Sequence, residues 1–231
     1  MSYLKPNANR VKTATIILII IAVLNIVMLI SEALQIGLLK RIQIGDFTNS
    51  EAESNDLRQG ILAFIYLAFI ITSIVTFILW FRRAYNNLHQ LSTRMEYGEG
   101  WAAGAWFVPF MNLVRPYKIM KELYVTSNKI LIEKVDNYKP LISTSIVGLW
   151  WTIYIGANMF SNFATRYTQN QSEISNLITG SYLNLGAKFL GIISCIVTIL
   201  VIKRYVLLET QLLDIIPDHS AQISDSIDIL D

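Results

Sequence analysis

The sequence contains little cysteine, histidine or charge, and each shortage excludes a class of site. Its single cysteine, Cys195, excludes an intrachain disulfide and a zinc site of paired cysteines. Its two histidines, His89 and His219, have no second ligand at metal-binding spacing, and metalloprotease, phosphate-loop and nucleophile-elbow motifs are missing. The sequence therefore predicts no metal site, no cofactor and no catalytic residue.

Charged residues make up only 16% of the chain, whereas hydrophobic residues make up 53% and fall in four long runs. A helix of about 20 apolar residues crosses a hydrocarbon core of about 30 Å. We therefore expect an all-α integral membrane four-helix bundle in contact with the lipid bilayer. A net charge of +2 is too small to indicate nucleic-acid binding. The predicted transmembrane helices are at about 13–39, 61–81, 141–163 and 182–208.

The placement of basic residues predicts the orientation of the chain. The middle segment, residues 82–139, has nine basic and five acidic residues, whereas the predicted outer loops, 40–60 and 164–181, have few basic residues. Loops rich in lysine and arginine stay on the cytoplasmic side. We therefore expect a multi-pass protein of the inner cell membrane with both termini in the cytoplasm. Residues 1–216 are predicted to be one membrane domain, and residues 217–231 a disordered acidic tail.

The middle segment contains an uncharged stretch, GWAAGAWFVPFMNLV (residues 100–114), which is too short to cross a bilayer and contains Pro109. Such a stretch lies on the membrane surface, dips into it and returns, or packs against protein. Trp101 and Trp106 suit the depth of the lipid headgroups. Gly100 and Gly104 would let one backbone approach another closely.

Apolar residues from Phe110 onward recur at helical spacing and predict an amphipathic cytoplasmic helix as an insertion between helices 2 and 3 of the bundle. One interpretation is a helix that only caps the bundle. The other is a surface helix that binds anionic lipid, or a cytoplasmic or membrane protein partner.

Two blocks, RRAYNNLHQL (residues 82–91) and GWAAGAWFVPFMNLVRPYKIMKELY (residues 100–124), resemble a bacterial family of multi-pass membrane proteins classified as a domain of unknown function. The family's central block reads GWAxGxWFxPxxNxxxPY. The resemblance implies a four-helix membrane fold and membrane location, but no activity, substrate or catalytic residue. The residues of these blocks that we expect to form an interface are Arg82, Arg83, Tyr85, Trp101, Gly104, Trp106, Pro109, Asn112, Arg115, Pro116 and Tyr117.

Two charged residues, Glu32 and Lys188, lie within predicted spans, each near the outer end. A charge inside a membrane is costly and often marks a functional site. The two side chains either form an ion pair or extend separately to the headgroups. Small residues four apart in the third and fourth spans indicate close helix packing or, as the alternative, the seam of a homo-oligomer.

Together these patterns favour a non-enzymatic membrane module that interacts with lipid or a partner protein. The alternative is a small transporter or channel that uses polar positions of the bundle, with Glu32 as its charged residue. A third interpretation is an enzyme acting on lipid, in which Arg82, Arg83 and Arg115 hold a phosphate headgroup. No nucleophile or base accompanies these arginines, which counts against that interpretation.

Overall fold

The computed structural model describes residues 4–215 except 93, 141, 142 and 170, so the predicted tail at 217–231 lies outside the described residues. Within the described ranges the chain is all-helical and contains no strand. A short 3₁₀-helix, Met111–Leu113, precedes α4. The helices are α1 (Ala8–Gln43), α2 (Asn49–Leu91), α3 (Trp101–Gly104), α4 (Arg115–Lys134), α5 (Ser145–Gln169) and α6 (Ile174–Asp214).

Three helices, α1, α2 and α6, are long and apolar enough to cross a membrane, which is compatible with a membrane protein. In the most apolar stretch of α2 only 11% of the residues are buried by the rest of the chain. Large apolar surfaces of this kind are rare on monomeric soluble proteins, because water solvates them poorly. Helix α5 is not among the three, and its two tryptophans and two asparagines between Trp150 and Asn162 lower its hydropathy.

The segment predicted as an outer loop, residues 40–60, is helical for most of its length, because α1 continues to Gln43 and α2 begins at Asn49. The start of α2 is a capping box. The backbone N–H of Glu51 donates to the Thr48 hydroxyl at 3.3 Å, and the N–H of Thr48 donates to the Glu51 carboxylate at 2.9 Å. These bonds satisfy N–H groups that have no partner inside the helix, so a polar sequence begins a helix here.

The second segment predicted as an outer loop, residues 164–181, is also partly helical. Helix α5 extends to Gln169 and α6 begins at Ile174. The polar residues that suggested a loop instead continue the two helices beyond the apolar runs. Apolar content locates the part of a helix suited to lipid, whereas the hydrogen-bonded helix extends past it.

The contacts within the chain define two compact units. In their described parts, the first unit comprises Met1–Ile17, Ser73–Trp151 and Thr198–Asp231, and the second comprises Leu18–Thr72 and Thr152–Val197. All residues of the middle segment belong to the first unit.

The core of the first unit is built from large aromatic side chains and one face of α4. Trp80, Tyr85, Trp150 and Tyr205 are fully buried. The Tyr124 hydroxyl of α4 donates to the carbonyl oxygen of Val201 at 2.6 Å and anchors α4. The buried positions of α4 are Pro116, Ile119, Met120, Leu123, Tyr124, Ser127, Asn128 and Leu131. The apolar face of α4 therefore packs within the protein.

The predicted start of this amphipathic helix at Phe110 is wrong, because α4 begins at Arg115 and Phe110 is exposed. Pro116 occupies the first turn of α4, where its missing N–H and fixed φ are tolerated. The apolar residues before Arg115 have helical spacing in sequence but do not belong to the buried face.

In the second unit, close packing uses a small residue of α6. A Cβ atom added to Gly191 would lie 3.0 Å from Oδ1 of Asn25, whereas Gly148 in α5, which belongs to the first unit, has nothing within 4 Å. Gly156, also in α5 but in the second unit, likewise has nothing within 4 Å. The small residues of α6 thus serve helix packing at Gly191. Among the described residues, a Cβ atom at Gly148 or Gly156 would meet nothing within 4 Å, whereas Ala157 and Ala164 of α5 are buried.

Candidate functional site

The candidate site lies where α3 and the first turn of α4 meet the connection between α2 and α3. Arg115 is the first residue of α4, and buried Pro116 fixes the helix start beside it. The preceding turn is stabilised by the N–H of Asn112, which donates to the carbonyl oxygen of Val108 at 3.0 Å. The Arg115 side chain is therefore presented by a fixed backbone.

Three side chains hold the connection that carries Tyr97. The Tyr85 hydroxyl oxygen lies 2.9 Å from the carbonyl oxygen of Tyr97 and 2.6 Å from Oε2 of Glu122, and its single proton is shared between these two acceptors. His89 Nε2 lies 3.0 Å from the same carbonyl oxygen. Glu122 also accepts the backbone N–H of Glu96 at 2.5 Å. Tyr85 is buried, so its predicted place at an interface is instead a structural role beneath the site.

Two aromatic rings flank the Arg115 guanidinium. Its Cζ atom lies 3.9 Å from the centre of the Trp101 ring and 5.3 Å from the centre of the Tyr97 ring. Both distances are within the range of cation–π attraction. The Tyr97 hydroxyl donates to Oε1 of Glu96 at 2.6 Å, and this bond raises the pKa of Tyr97 to about 12. Tyr97 is therefore uncharged at neutral pH.

Phe110 projects from the turn that precedes Arg115. Its φ of 63° and ψ of −36° form a backbone conformation that bulky residues rarely adopt and that costs about 1–3 kcal/mol. Its side chain is 85% exposed, and Phe107 nearby is 71% exposed. The strained turn thus presents two aromatic rings outward from the protein.

Arg115, Tyr97 and Phe110 line an open groove of about 270 Å³ together with three neighbouring residues, and we call it the Arg115 groove. Of its residues, only Arg115 was predicted as a site residue. The others are separated in sequence, and no spacing rule connects residue 97 with residues 110–118. The groove residues are Tyr97, Phe110, Met111, Val114, Arg115 and Lys118.

Some of the other predicted interface residues pack against neighbouring rings, and the rest are exposed. Trp106 packs against Phe77, with ring centres 5.5 Å apart, and Tyr117 stacks against Trp151 at 6.5 Å. Trp101 is partly exposed beside Arg115. Pro109 and Asn112 are exposed in the turn that carries Phe110.

The predicted arginines do not converge on one pocket. Arg82 lies 3.9 Å from Glu99 in an exposed ion pair, and only Arg115 lines the groove. Arg83 acts on the buried Glu209 electrostatically. The arrangement gives no support to an enzyme that holds a phosphate with all three arginines.

Among the described residues, neither Gly100 nor Gly104 makes a close backbone approach. A Cβ atom added to Gly100 would meet nothing within 4 Å, and one added to Gly104 would lie 3.9 Å from the Trp101 ring, an ordinary contact. Gly104 ends the four-residue helix α3. The two glycines shape a short turn rather than a contact between helices.

Glu32 and Lys188 interact without a contact ion pair. Glu32 is buried, and its Oε2 atom has no hydrogen-bond partner among the described residues. Lys188 and Arg58 are the cations that act on it most strongly. In the part of the chain that the structure describes, no nitrogen of Lys188 lies within 4.0 Å of Glu32 oxygens; its Nζ atom instead lies 4.7 Å from the Tyr66 ring centre.

The described residues contain no group of three or more histidine, cysteine, aspartate or glutamate side chains that could hold a metal ion. The groups that the candidate site offers to a ligand are the stacked guanidinium of Arg115, the neighbouring Lys118 and the exposed rings of Phe107 and Phe110.

Comparison with known proteins identifies one family. Residues 45–206 match the family model described as Domain of unknown function (DUF4328), and this match covers the Arg115 groove. No curated protein and no solved structure matches the chain. Because the matched region includes well over half of the sequence, the chain belongs to the DUF4328 family.

Proposed function

We propose that this protein is a non-enzymatic membrane module whose Arg115 groove and adjacent turn lie on the cytoplasmic leaflet and contact lipid. The observation that carries the proposal is the pairing of Phe107 and Phe110, both exposed, with Arg115 and Lys118. Aromatic rings suit the boundary between headgroups and acyl chains, and basic side chains suit the headgroups themselves.

The energetics support a lipid contact for this turn. Complete burial of one phenylalanine side chain contributes about 1.5–3 kcal/mol relative to exposure in water. The backbone of Phe110 is strained, so the conformation that exposes this apolar ring costs free energy. Contact with acyl chains would offset that cost. A protein partner with an apolar surface is the alternative occupant.

The proposed topology has four spans, with α5 as the third, and places both termini and the middle segment in the cytoplasm of a bacterial cell. The excess of basic residues over residues 82–139 supports this orientation. The lower hydropathy of α5 fits a helix that packs one side on protein, since its Trp150 is buried and its Leu149 is exposed. A second copy of the chain packs against Gly148 and Gly156 in this proposal, since a Cβ atom added to either would meet nothing within 4 Å among the described residues.

The test uses a fluorescent probe at the tip of the turn. In a Cys195→Ala background, Phe110→Cys labelled with bimane and reconstituted into vesicles should be quenched strongly by lipids brominated on the acyl chain. Lys129→Cys, an exposed position on α4, is the matched control and should be quenched less. Equal quenching at the two positions would refute lipid contact by the turn, and capture of a protein partner by Phe110 would then be the better account.

A second candidate function, a small transporter or channel, is favoured by one observation. Glu32 is buried, its Oε2 atom has no hydrogen-bond partner among the described residues, and Lys188 and Arg58 act on it electrostatically. A cysteine at Glu32 that reacts with a water-soluble reagent from both sides of the membrane, and is protected by one small solute, would support a pathway. Protection from both sides without any solute would exclude it.

A further inference from the structure

The Arg115 guanidinium is held in place without using its hydrogen-bond donors. Two rings, Trp101 and Tyr97, contact it through cation–π geometry. Among the described residues, its side chain donates no hydrogen bond to protein, and no carboxylate lies within 4.0 Å of it. A guanidinium has five N–H groups arranged as a planar fork, which suits a phosphate or carboxylate ligand. The edge of this fork is therefore free to bind an anion.

The carboxylates near Arg115 are already occupied. Glu122 accepts from Tyr85 and from the backbone of Glu96, and Glu96 accepts the Tyr97 hydroxyl. Glu99 lies beside Arg82 in an ion pair. The positive charge of Arg115 is therefore not cancelled by a contact within the described chain.

A second cation lies on the same side of α4. Lys118 is three residues after Arg115, so the two side chains are neighbours on the helix surface, and both line the groove. Lys118 is exposed and makes no ion pair among the described residues. Arg115 can bind two oxygens of one phosphate, while Lys118 adds a flexible positive charge.

We infer that the Arg115 groove is a binding site for the phosphate of an anionic phospholipid, held by Arg115 and Lys118, with Phe110 among the acyl chains. This inference rests on the proposed function and names the lipid class. One side of the groove is apolar and is formed by Phe110, Met111 and Val114. A soluble anion would make no favourable contact with this side, whereas the acyl chains of a lipid would, so lipid is the favoured source of the phosphate. Two cations facing one phosphate favour a lipid with net negative charge over a zwitterionic one.

The test compares two brominated lipids with the same probe. Bimane at Phe107→Cys, in the Cys195→Ala background, leaves every groove residue intact. In phosphatidylcholine vesicles with a small fraction of brominated lipid, brominated phosphatidylglycerol should quench more than brominated phosphatidylcholine. Arg115→Gln should reduce this preference about tenfold, as expected for loss of a bidentate charged contact.

Other variants distinguish the effect of the planar guanidinium fork from the effect of positive charge, and both from an effect of misfolding. Arg115→Lys keeps the charge but loses the fork, so it should retain only part of the preference. Lys118→Gln, at an exposed position, should give a smaller reduction without affecting folding. Arg94→Gln, an exposed arginine of the same segment outside the groove, is the matched control and should leave the preference unchanged.

The outcomes distinguish this inference from the proposed function. If both brominated lipids quench equally in the unaltered groove, or if Arg115→Gln and Lys118→Gln leave the preference intact, the anionic site is wrong while lipid contact stands. If neither lipid quenches, the proposed function itself fails. If inorganic phosphate abolishes the preference at constant ionic strength, the ligand is a soluble phosphate and the assignment to lipid is overturned.

Discussion

Asn87 on α2 is the residue that ties the N-terminal segment into the first unit. Its Oδ1 atom accepts the backbone N–H of Lys5 at 3.0 Å, and its Nδ2 group donates to the Lys5 carbonyl oxygen at 3.0 Å. The same Nδ2 group donates to the buried Glu209 of α6 at 3.0 Å. Asn7 donates a further bond to this carboxylate. One amide thus connects the N-terminal segment, α2 and α6.

Asn87→Ala should therefore release the N-terminal segment. A buried polar group left without its partner costs about 1–3 kcal/mol, and this change removes partners from both Lys5 and Glu209. Hydrogen exchange at the Lys5 amide should become at least tenfold faster. The neighbouring Asn86→Ala is the control, because Asn86 is also buried but its Oδ1 atom has no hydrogen-bond partner among the described residues. Similar exchange in the two variants would contradict this role.

At the residue scale, the sequence indicated part of the candidate site. Trp101 and Arg115 were predicted as interface residues, and the structure brings them together. Tyr97 could not be predicted, because its place beside Arg115 depends on hydrogen bonds from Tyr85 and His89 to its carbonyl oxygen. The outward position of Phe110 depends on a positive φ that phenylalanine rarely adopts, so no residue preference signals it.

At the scale of elements, the start of α2 illustrates how local hydrogen bonds set a helix boundary. The Thr48 hydroxyl and the Glu51 carboxylate cap the first turn, and Glu51 also contacts Arg41 at the end of α1 at 2.6 Å. The connection between the two helices is accordingly short. A polar segment that reads as a loop by composition is helical because its first turn is capped.

Thr48→Ala should loosen the first turn of α2. Loss of a threonine N-cap costs about 1 kcal/mol, which corresponds to about fivefold faster hydrogen exchange in the first turn. Ser50→Ala, at an exposed position in the same turn, is the control and should have little effect. Unchanged exchange in Thr48→Ala would show that other contacts, such as the one between Arg41 and Glu51, fix this helix start.

The elements that were predicted well are those with long apolar runs. The runs at 13–39, 61–81 and 182–208 lie within α1, α2 and α6, the three helices that are long and apolar enough to span a membrane. Each of these helices continues beyond its apolar run, because apolar content does not report where caps and polar side chains extend a helix. The sequence signal that was overlooked is Thr48-x-x-Glu51, a capping-box pattern.

At the scale of the whole molecule, the number of spans decides on which side of the membrane each connection lies. With four spans, the connection between α5 and α6 lies outside the cell and the C-terminus lies inside. With three spans, formed by α1, α2 and α6 alone, that connection would stay on the same side as the Arg115 groove. The two topologies therefore place residues 171–173 on opposite sides of the membrane.

The most direct test is the accessibility of Ser172→Cys to a membrane-impermeant thiol reagent, in the Cys195→Ala background. Asp46→Cys, between α1 and α2, reports the side that we propose is outside, and Lys118→Cys reports the side of the groove. We predict that Ser172→Cys and Asp46→Cys are labelled in intact cells, whereas Lys118→Cys is labelled only in inverted vesicles. Labelling of Ser172→Cys together with Lys118→Cys, and apart from Asp46→Cys, would contradict the four-span topology.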